Sequence, residues 1–167
     1  MRKKVEEELE NLQRTGIISP VKYSEWAAPI VPVIKRSGSV RICGDYKTTI
    51  NPVSPVETYP LPRVQELFAN LSGGKSFSKL DLAQAYLQLP LAEESKKFLT
   101  INTHKGLFVY NRLPFGVSSA PAIFQRTMET LLRGLPGVAV YLDDILVTGK
   151  TTEEHNYREP RESLAQA

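Results

Sequence analysis

The spacing of hydrophobic and polar positions changes several times along the chain, and each change marks a predicted element. Val5, Leu9 and Leu12 recur at helical spacing over residues 2–14 and stop before Gly16, which predicts an amphipathic helix. Ile17 to Pro32 is punctuated by Pro20, Pro29 and Pro32 and is predicted to be extended. Val31–Ile34 and Val40–Cys43 flank Lys35-Arg36-Ser37-Gly38-Ser39, the pattern of a hairpin with a basic tip, and Pro32 predicts that its first strand lies at a sheet edge. Residues 51–62, with four prolines, form a connector. A helix follows, with Val64, Leu67, Phe68 and Leu71 on one face and Gly73-Gly74 ending it. Residues 76–82 read as a strand, Ala83 to Leu87 as a helical turn, and 98–102 and 107–111 as two strands joined across His104-Lys105-Gly106. A helix starts near Pro121 with Phe124, Met128, Leu131 and Leu132 directed inward, and an apolar hairpin over 138–147 precedes a polar tail. Interspersed helices and hairpin-paired strands predict an α+β domain with a mainly antiparallel sheet.

Composition narrows the class without choosing a function. At 167 residues and 41% hydrophobic, the chain can bury one core with a small appended subdomain. A net charge of +3 is weakly basic. Its distribution says more: Lys35, Arg36, Arg41 and Lys47 cluster against the single acid Asp45, a modest pointer toward a polyanionic partner. The single cysteine, Cys43, excludes a disulfide framework and a cysteine-ligated zinc site. The N-terminus lacks the apolar stretch of a secretory signal, and no run approaches the roughly 18 apolar residues of a membrane span. A soluble protein with no membrane partner is expected.

The residues that carry chemistry are acidic. Tyr141-Leu142-Asp143-Asp144 lies between the apolar runs Val138-Ala139-Val140 and Ile145-Leu146-Val147. Two adjacent carboxylates in a water-avoiding ribbon repel each other and resist burial, so a cation is expected to offset them. Asp81, in Phe77-Ser78-Lys79-Leu80-Asp81-Leu82, has a similar setting. Three aspartates at the ends of two strands suit two-metal phosphoryl transfer, in which ions roughly 3.5–4 Å apart stabilise the attacking and leaving oxygens. Mg²⁺ takes carboxylate and water ligands, so few protein groups suffice when substrate phosphates complete the shell. An ordinary Asp-containing turn at 143–144 is the plainer alternative.

Leu80-Asp81-Leu82-Ala83-Gln84-Ala85-Tyr86-Leu87-Gln88-Leu89-Pro90-Leu91 resembles the first metal motif of reverse transcriptases. The segment from Leu113-Pro114-Phe115-Gly116 to Ile123-Phe124-Gln125 resembles their nucleotide-pocket motif, and Tyr141-Leu142-Asp143-Asp144 their second metal motif. The order and spacing agree over roughly residues 5–155, and the Phe115-Gly116 and Tyr141-Leu142 variants look most like gypsy-type LTR retrotransposon pol polyproteins. The resemblance implies fingers (about 15–60) and a ferredoxin-like palm (about 61–155) of a right-hand polymerase. It implies RNA- or DNA-templated addition of dNTPs to a primer 3′-hydroxyl. Asp81, Asp143 and Asp144, with the Leu82 carbonyl, would hold two Mg²⁺ ions, for which Mn²⁺ can substitute. Tyr86 would stack under the incoming sugar and exclude a 2′-hydroxyl, and Phe115 and Gly116 would line the same pocket. Arg41 and Lys35 would contact the triphosphate from a mobile basic hairpin, and Gln125 and Tyr141 would lie near template and primer. No ligand role is implied for His104 or His155, both expected at the surface.

Two departures qualify the resemblance. Gly44 and Lys47 stand where the family more often has Val and Arg. Residues 156–167 lose the apolar spacing of the following helix, and Pro160 would break it. The expectation is therefore a fragment lacking the thumb, from a pol protein that also carries RNase H and integrase and works in cytoplasmic particles. The rival reading is a non-catalytic remnant that at most binds nucleic acid or a partner. A telomere or group II intron-type polymerase fits the Phe115 and Tyr141-Leu142 variants less well.

Overall fold

Helix α1 (Arg2–Arg14) forms where the sequence predicts it and buries Val5, Leu9 and Leu12. Each such side chain contributes about 1.5–3 kcal/mol relative to exposure. The helix ends at Thr15, and Gly16 (φ +72°) takes the left-handed conformation that turns the chain. The computed structural model describes residues 1–55 and 59–158. Within it the chain divides into two compact units, Met1–Val56 with Tyr86–Ala120, and Glu57–Ala85 with Pro121–Ala167. Residues 86–120 contribute strands to the first unit's sheet.

That sheet has five strands in the order β1-β6-β5-β2-β3: β1 (Ile18–Val21), β2 (Ala27–Ile34), β3 (Val40–Gly44), β5 (Thr100–Thr103) and β6 (Gly106–Tyr110). All pairings are antiparallel except β2 with β5. The β2–β3 hairpin matches expectation, but β2 is interior in strand order, not an edge. Pro32 is tolerated because the pairing with β5 ends at Pro29, leaving β3 as the neighbour at Pro32. A four-residue helix α3 (Glu93–Lys96) leads into β5.

The second unit holds a three-stranded antiparallel sheet, β4-β8-β7, with β4 (Ser76–Asp81), β7 (Val138–Tyr141) and β8 (Asp144–Gly149). The central strand β8 buries Ile145 and Val147 completely, as a strand flanked on both sides should. On β4 burial alternates: Ser76, Ser78 and Leu80 are partly buried, while Phe77, Lys79 and Asp81 share the exposed face. Helix α2 (Val64–Asn70) packs Leu67 and, just beyond its end, Leu71 against Ala139 and Leu146. Val64 and Phe68, expected on that face, are exposed, because the contact stripe is narrower than the apolar pattern. Helix α4 (Ala120–Leu131) directs Phe124 and Met128 inward, as does Leu132 beyond it, whereas Leu131 is half exposed.

Helix α5 (Thr152–Arg158) packs on β8 and β4. The expected off-pattern tail is therefore helical through Arg158, and residues 159–167 lie outside the described residues. Among the described residues no helix is long and apolar enough to cross a membrane.

Candidate functional site

The hairpin between β7 and β8 positions two of the three aspartates. Tyr141 pairs with Asp144, leaving Leu142 and Asp143 as a two-residue loop. Leu142 has φ +54°, and a positive φ at the first loop residue is the pattern of a type II′ turn. Glycine is favoured there; a leucine carries strain of about 1–2 kcal/mol. On the other side β4 pairs with β8 so that Asp81 stands directly opposite Asp144, and the Leu82 N–H donates to the Asp143 carbonyl at 2.9 Å. Sheet register thus brings together three residues separated by up to 63 positions in the chain (144 − 81).

Gln125 explains how the strained turn is held. Its side chain is completely buried on α4. Its Nε2 donates to the Val140 carbonyl (2.9 Å) and to Glu129 Oε1 (2.7 Å), and its Oε1 accepts the Leu142 N–H (2.7 Å). Every polar position of the amide with a described partner is used, and Glu129 fixes which end faces which strand: a flipped amide would set oxygen against both the carboxylate and the Val140 carbonyl. The Tyr59 hydroxyl in turn donates to Glu129 Oε2. The resemblance puts Gln125 near the template; in the structure its amide is buried and bonded to the turn. Tyr141, at the start of the turn, is exposed.

The burial argument for a cation also needs correction. Asp81 and Asp143 are exposed, and Asp144 is half-buried. Water solvates the first two, and the third has a partner already: Lys79 Nζ lies 2.8 Å from Asp144 Oδ2. Hydrogen bonding to Asp144 and its charge push the Lys79 ammonium above the ordinary lysine range, with Asp81 and Asp143 acting in the same direction. Of the three carboxylates, Asp144 holds the ammonium directly. Hard oxygen donors that already hold an ammonium suit a divalent cation in charge and donor type. Among the described residues, however, no three His, Cys, Asp or Glu side chains are gathered into a metal-holding group.

The first unit carries the aromatic and basic residues. Phe115 is shared by two neighbours: the Tyr86 ring lies with centroids 4.9 Å apart at 42°, and the Arg41 guanidinium carbon sits 4.3 Å from the Phe115 centroid. Arg41 Nε is buried with no hydrogen-bond partner among the described residues, an orphan donor of the kind that an anion satisfies. Gly116 (φ +105°) follows Phe115; a methyl group there would overlap the Gly44 carbonyl oxygen, so glycine is required by both conformation and space. The Gly44 N–H donates to the Phe115 carbonyl (3.3 Å). Asn51 brackets the same loop, donating to the Gly116 carbonyl (2.9 Å) and accepting the Ser118 N–H (3.0 Å). Lys35 stands at the base of the hairpin tip, where Lys4 Nζ donates to the Gly38 carbonyl at 2.7 Å.

Asn51, Lys79 and Glu129 were not singled out by sequence reasoning. Lys79 was legible in principle, since a residue two before Asp81 on a strand shares its face. His155 reverses its expectation. It is buried, with Nε2 2.8 Å from Ser78 Oγ, and its backbone fits against Gly149 where a Cβ would intrude. Its partner is 77 positions away, so no local pattern announced it. His104 sits closer to expectation, its Nε2 2.9 Å from Glu6 Oε1.

Comparison with known proteins bears on the sequence and the fold. Residues 33–163 match the family model described as reverse transcriptase (RNA-dependent DNA polymerase). The chain is 46% identical over 153 residues to the uncharacterized protein K02A2.6 of Caenorhabditis elegans, covering 90% of this chain and 12% of that protein. It is 32% identical over 157 residues to a retrovirus-related Pol polyprotein from transposon 297 of Drosophila melanogaster, covering 90% of this chain and 15% of that one. The foamy viral protease-reverse transcriptase solved in complex with double-stranded DNA superimposes with a TM-score of 0.88 at 26% identity, over 98% of this chain and 29% of that one. This chain thus spans only a small share of the relatives it matches, and within that share sequence and fold agree: it belongs to the reverse transcriptase (RNA-dependent DNA polymerase) family.

Proposed function

We propose that this chain is the fingers-and-palm portion of an RNA-directed DNA polymerase encoded in a retrotransposon pol polyprotein, adding dNTPs to a primer 3′-hydroxyl on an RNA or DNA template. The observation that carries the reading is the register that sets Asp81 opposite Asp144 beside the Asp143 turn. When bound, two Mg²⁺ or Mn²⁺ ions would activate the attacking oxygen and stabilise the leaving one. Asp81, Asp143 and Asp144 would hold them, with the Leu82 carbonyl as a further oxygen donor. Gln125 and Glu129 keep the turn in one conformation, so that the carboxylates need little reorganisation.

Arg41 would meet the triphosphate with its unsatisfied Nε, held in place by Phe115, and Lys35 would add charge from the hairpin. Tyr86, packed on Phe115, would set the floor under the sugar and reject a 2′-hydroxyl. Gly116 lets the loop approach Gly44 closely enough to keep Phe115 in place. Primer–template would bind chiefly through phosphates, as suits a relative solved with double-stranded DNA, and binding should weaken steeply with salt. The gypsy-type assignment rests on the Phe115-Gly116 and Tyr141-Leu142 variants. The thumb, RNase H and integrase would come from the rest of the polyprotein, acting in cytoplasmic particles.

Single-nucleotide primer extension on poly(rA)·oligo(dT), with this chain against Asp143→Asn, tests the reading. Extension by the parent that is lost in the variant supports it. Silence from both, persisting when downstream thumb sequence is supplied, would overturn it in favour of a non-catalytic remnant.

A further inference from the structure

Lys79 and Asp81 stand two residues apart on the exposed face of β4, and Asp144 lies directly across from Asp81. Lys79 is therefore diagonal to Asp144 across the β4–β8 ladder, within reach of a long side chain, and its ammonium closes on Oδ2 at 2.8 Å. The ammonium thus occupies one of the oxygen atoms that the proposed metal site would use. The lysine side chain is 62% exposed and the aspartate 28%. Such a pair is easily separated, because water solvates the released ammonium at little cost. A buried pair would have locked the carboxylate away.

We propose that Lys79 is a tethered counterion for Asp144, holding the carboxylate while the site lacks metal and giving way when a divalent cation enters. The inference rests on the reading of the three aspartates as a metal site and adds its regulation. Without metal, Lys79 offsets the charge of Asp144, which lies opposite Asp81 and next to Asp143. With metal, the ammonium and the incoming cation compete for one carboxylate, so the lysine sets the cation concentration at which the site fills.

Mn²⁺ titration of the 167-residue chain followed by electron paramagnetic resonance gives the direct test. Lys79→Met keeps the length of the side chain and removes its charge; it should bind Mn²⁺ about two- to fivefold more tightly, the range expected from losing one exposed ion pair. Lys79→Arg, which can grip the carboxylate with two N–H groups, should bind no more tightly than the parent. Lys75→Met removes the same charge just before β4 and should leave the affinity unchanged. Unaltered or weaker Mn²⁺ binding by Lys79→Met, or an equal gain from Lys75→Met, would overturn the proposal.

A double-mutant cycle in EDTA checks the pair without any metal. Lys79→Met should lower Tm by about 1–3 °C, and by clearly less in an Asp144→Asn background. Additive effects would overturn the counterion role. Failure of the metal reading has a different signature: a coupled cycle in EDTA, with no Mn²⁺ bound by parent or variant. In that outcome the exchange with metal falls together with the site itself.

Discussion

The turn at Leu142-Asp143 and the loop at Phe115-Gly116 both need a backbone in the left-handed region, and they obtain it differently. The turn places a leucine at φ +54° and holds it with directed hydrogen bonds from a fully buried glutamine. The loop uses a glycine at φ +105° and is held by close backbone approach to Gly44, by Asn51, and by the packing of Phe115 with Tyr86 and Arg41. At the loop nothing larger than hydrogen fits, so the residue choice is steric. At the turn there is room for a side chain, and a polar scaffold offsets the strain. Strain at a turn is thus tolerated where neighbouring groups over-determine the conformation.

Substitutions in each region test this contrast. The largest effect is expected from Gly116→Ala, where backbone strain and overlap with the Gly44 carbonyl combine to cost about 3–5 kcal/mol. Urea unfolding measures it, and a loss below about 1 kcal/mol would mean that the loop yields and the steric account is wrong. Gln125→Leu comes next: it strands the Val140 carbonyl and the Leu142 N–H, and should cost about 2–4 kcal/mol by the same measurement. Leu142→Gly in the parent should be neutral or stabilising by up to about 1 kcal/mol; a clear destabilisation would show that the leucine side chain, not the hydrogen-bonded frame, secures the turn.

Phe115→Leu removes the shared ring and should cost about 1–2 kcal/mol; under the proposed function it should also raise the KM for dNTP more than it lowers kcat, and Phe115→Tyr should preserve both. The smallest effect concerns Glu6, which sits in neither region. Its hydrogen bond with His104 holds its carboxyl below the ordinary 4.5, with Arg2 and Lys105 adding to the effect. A depressed carboxylate contributes stability above its unfolded value that is lost as pH falls through the folded one. Glu6→Gln should therefore lower the urea midpoint slightly at pH 7, and the difference from the parent should disappear as pH falls well below 4.5. A difference that persists at low pH would assign the effect to packing instead of charge.

Much of this was legible along the chain, for reasons that differ by residue. Val5, Leu9 and Leu12 repeat at 3.6-residue spacing, and the helix they predict is present with those residues buried. The hairpins at Lys35–Ser39 and at Leu142-Asp143 were marked by polar breaks between apolar runs. The burial of the aspartates was misread, because an apolar sequence neighbourhood says nothing of solvent at a strand end. Phe68 and Val64 were misplaced because a helical stripe can be wider than the surface available to cover it. The roles of Gln125 and His155 escaped because the groups that they bind are distant in sequence: the turn lies 15–17 positions from Gln125, and Ser78 lies 77 from His155.

The kinds of elements, the three aspartates in their motifs, and the glycine and proline punctuation can be read along the chain, because each depends on periodicity or on the conformational limits of single residues. Only in three dimensions does Asp81 face Asp144, Lys79 reach across to Asp144, and a buried amide on α4 steady the neighbouring turn. Those facts depend on strand register and on which residues pack together. Both are set by the collective burial of the core rather than by any local stretch of chain.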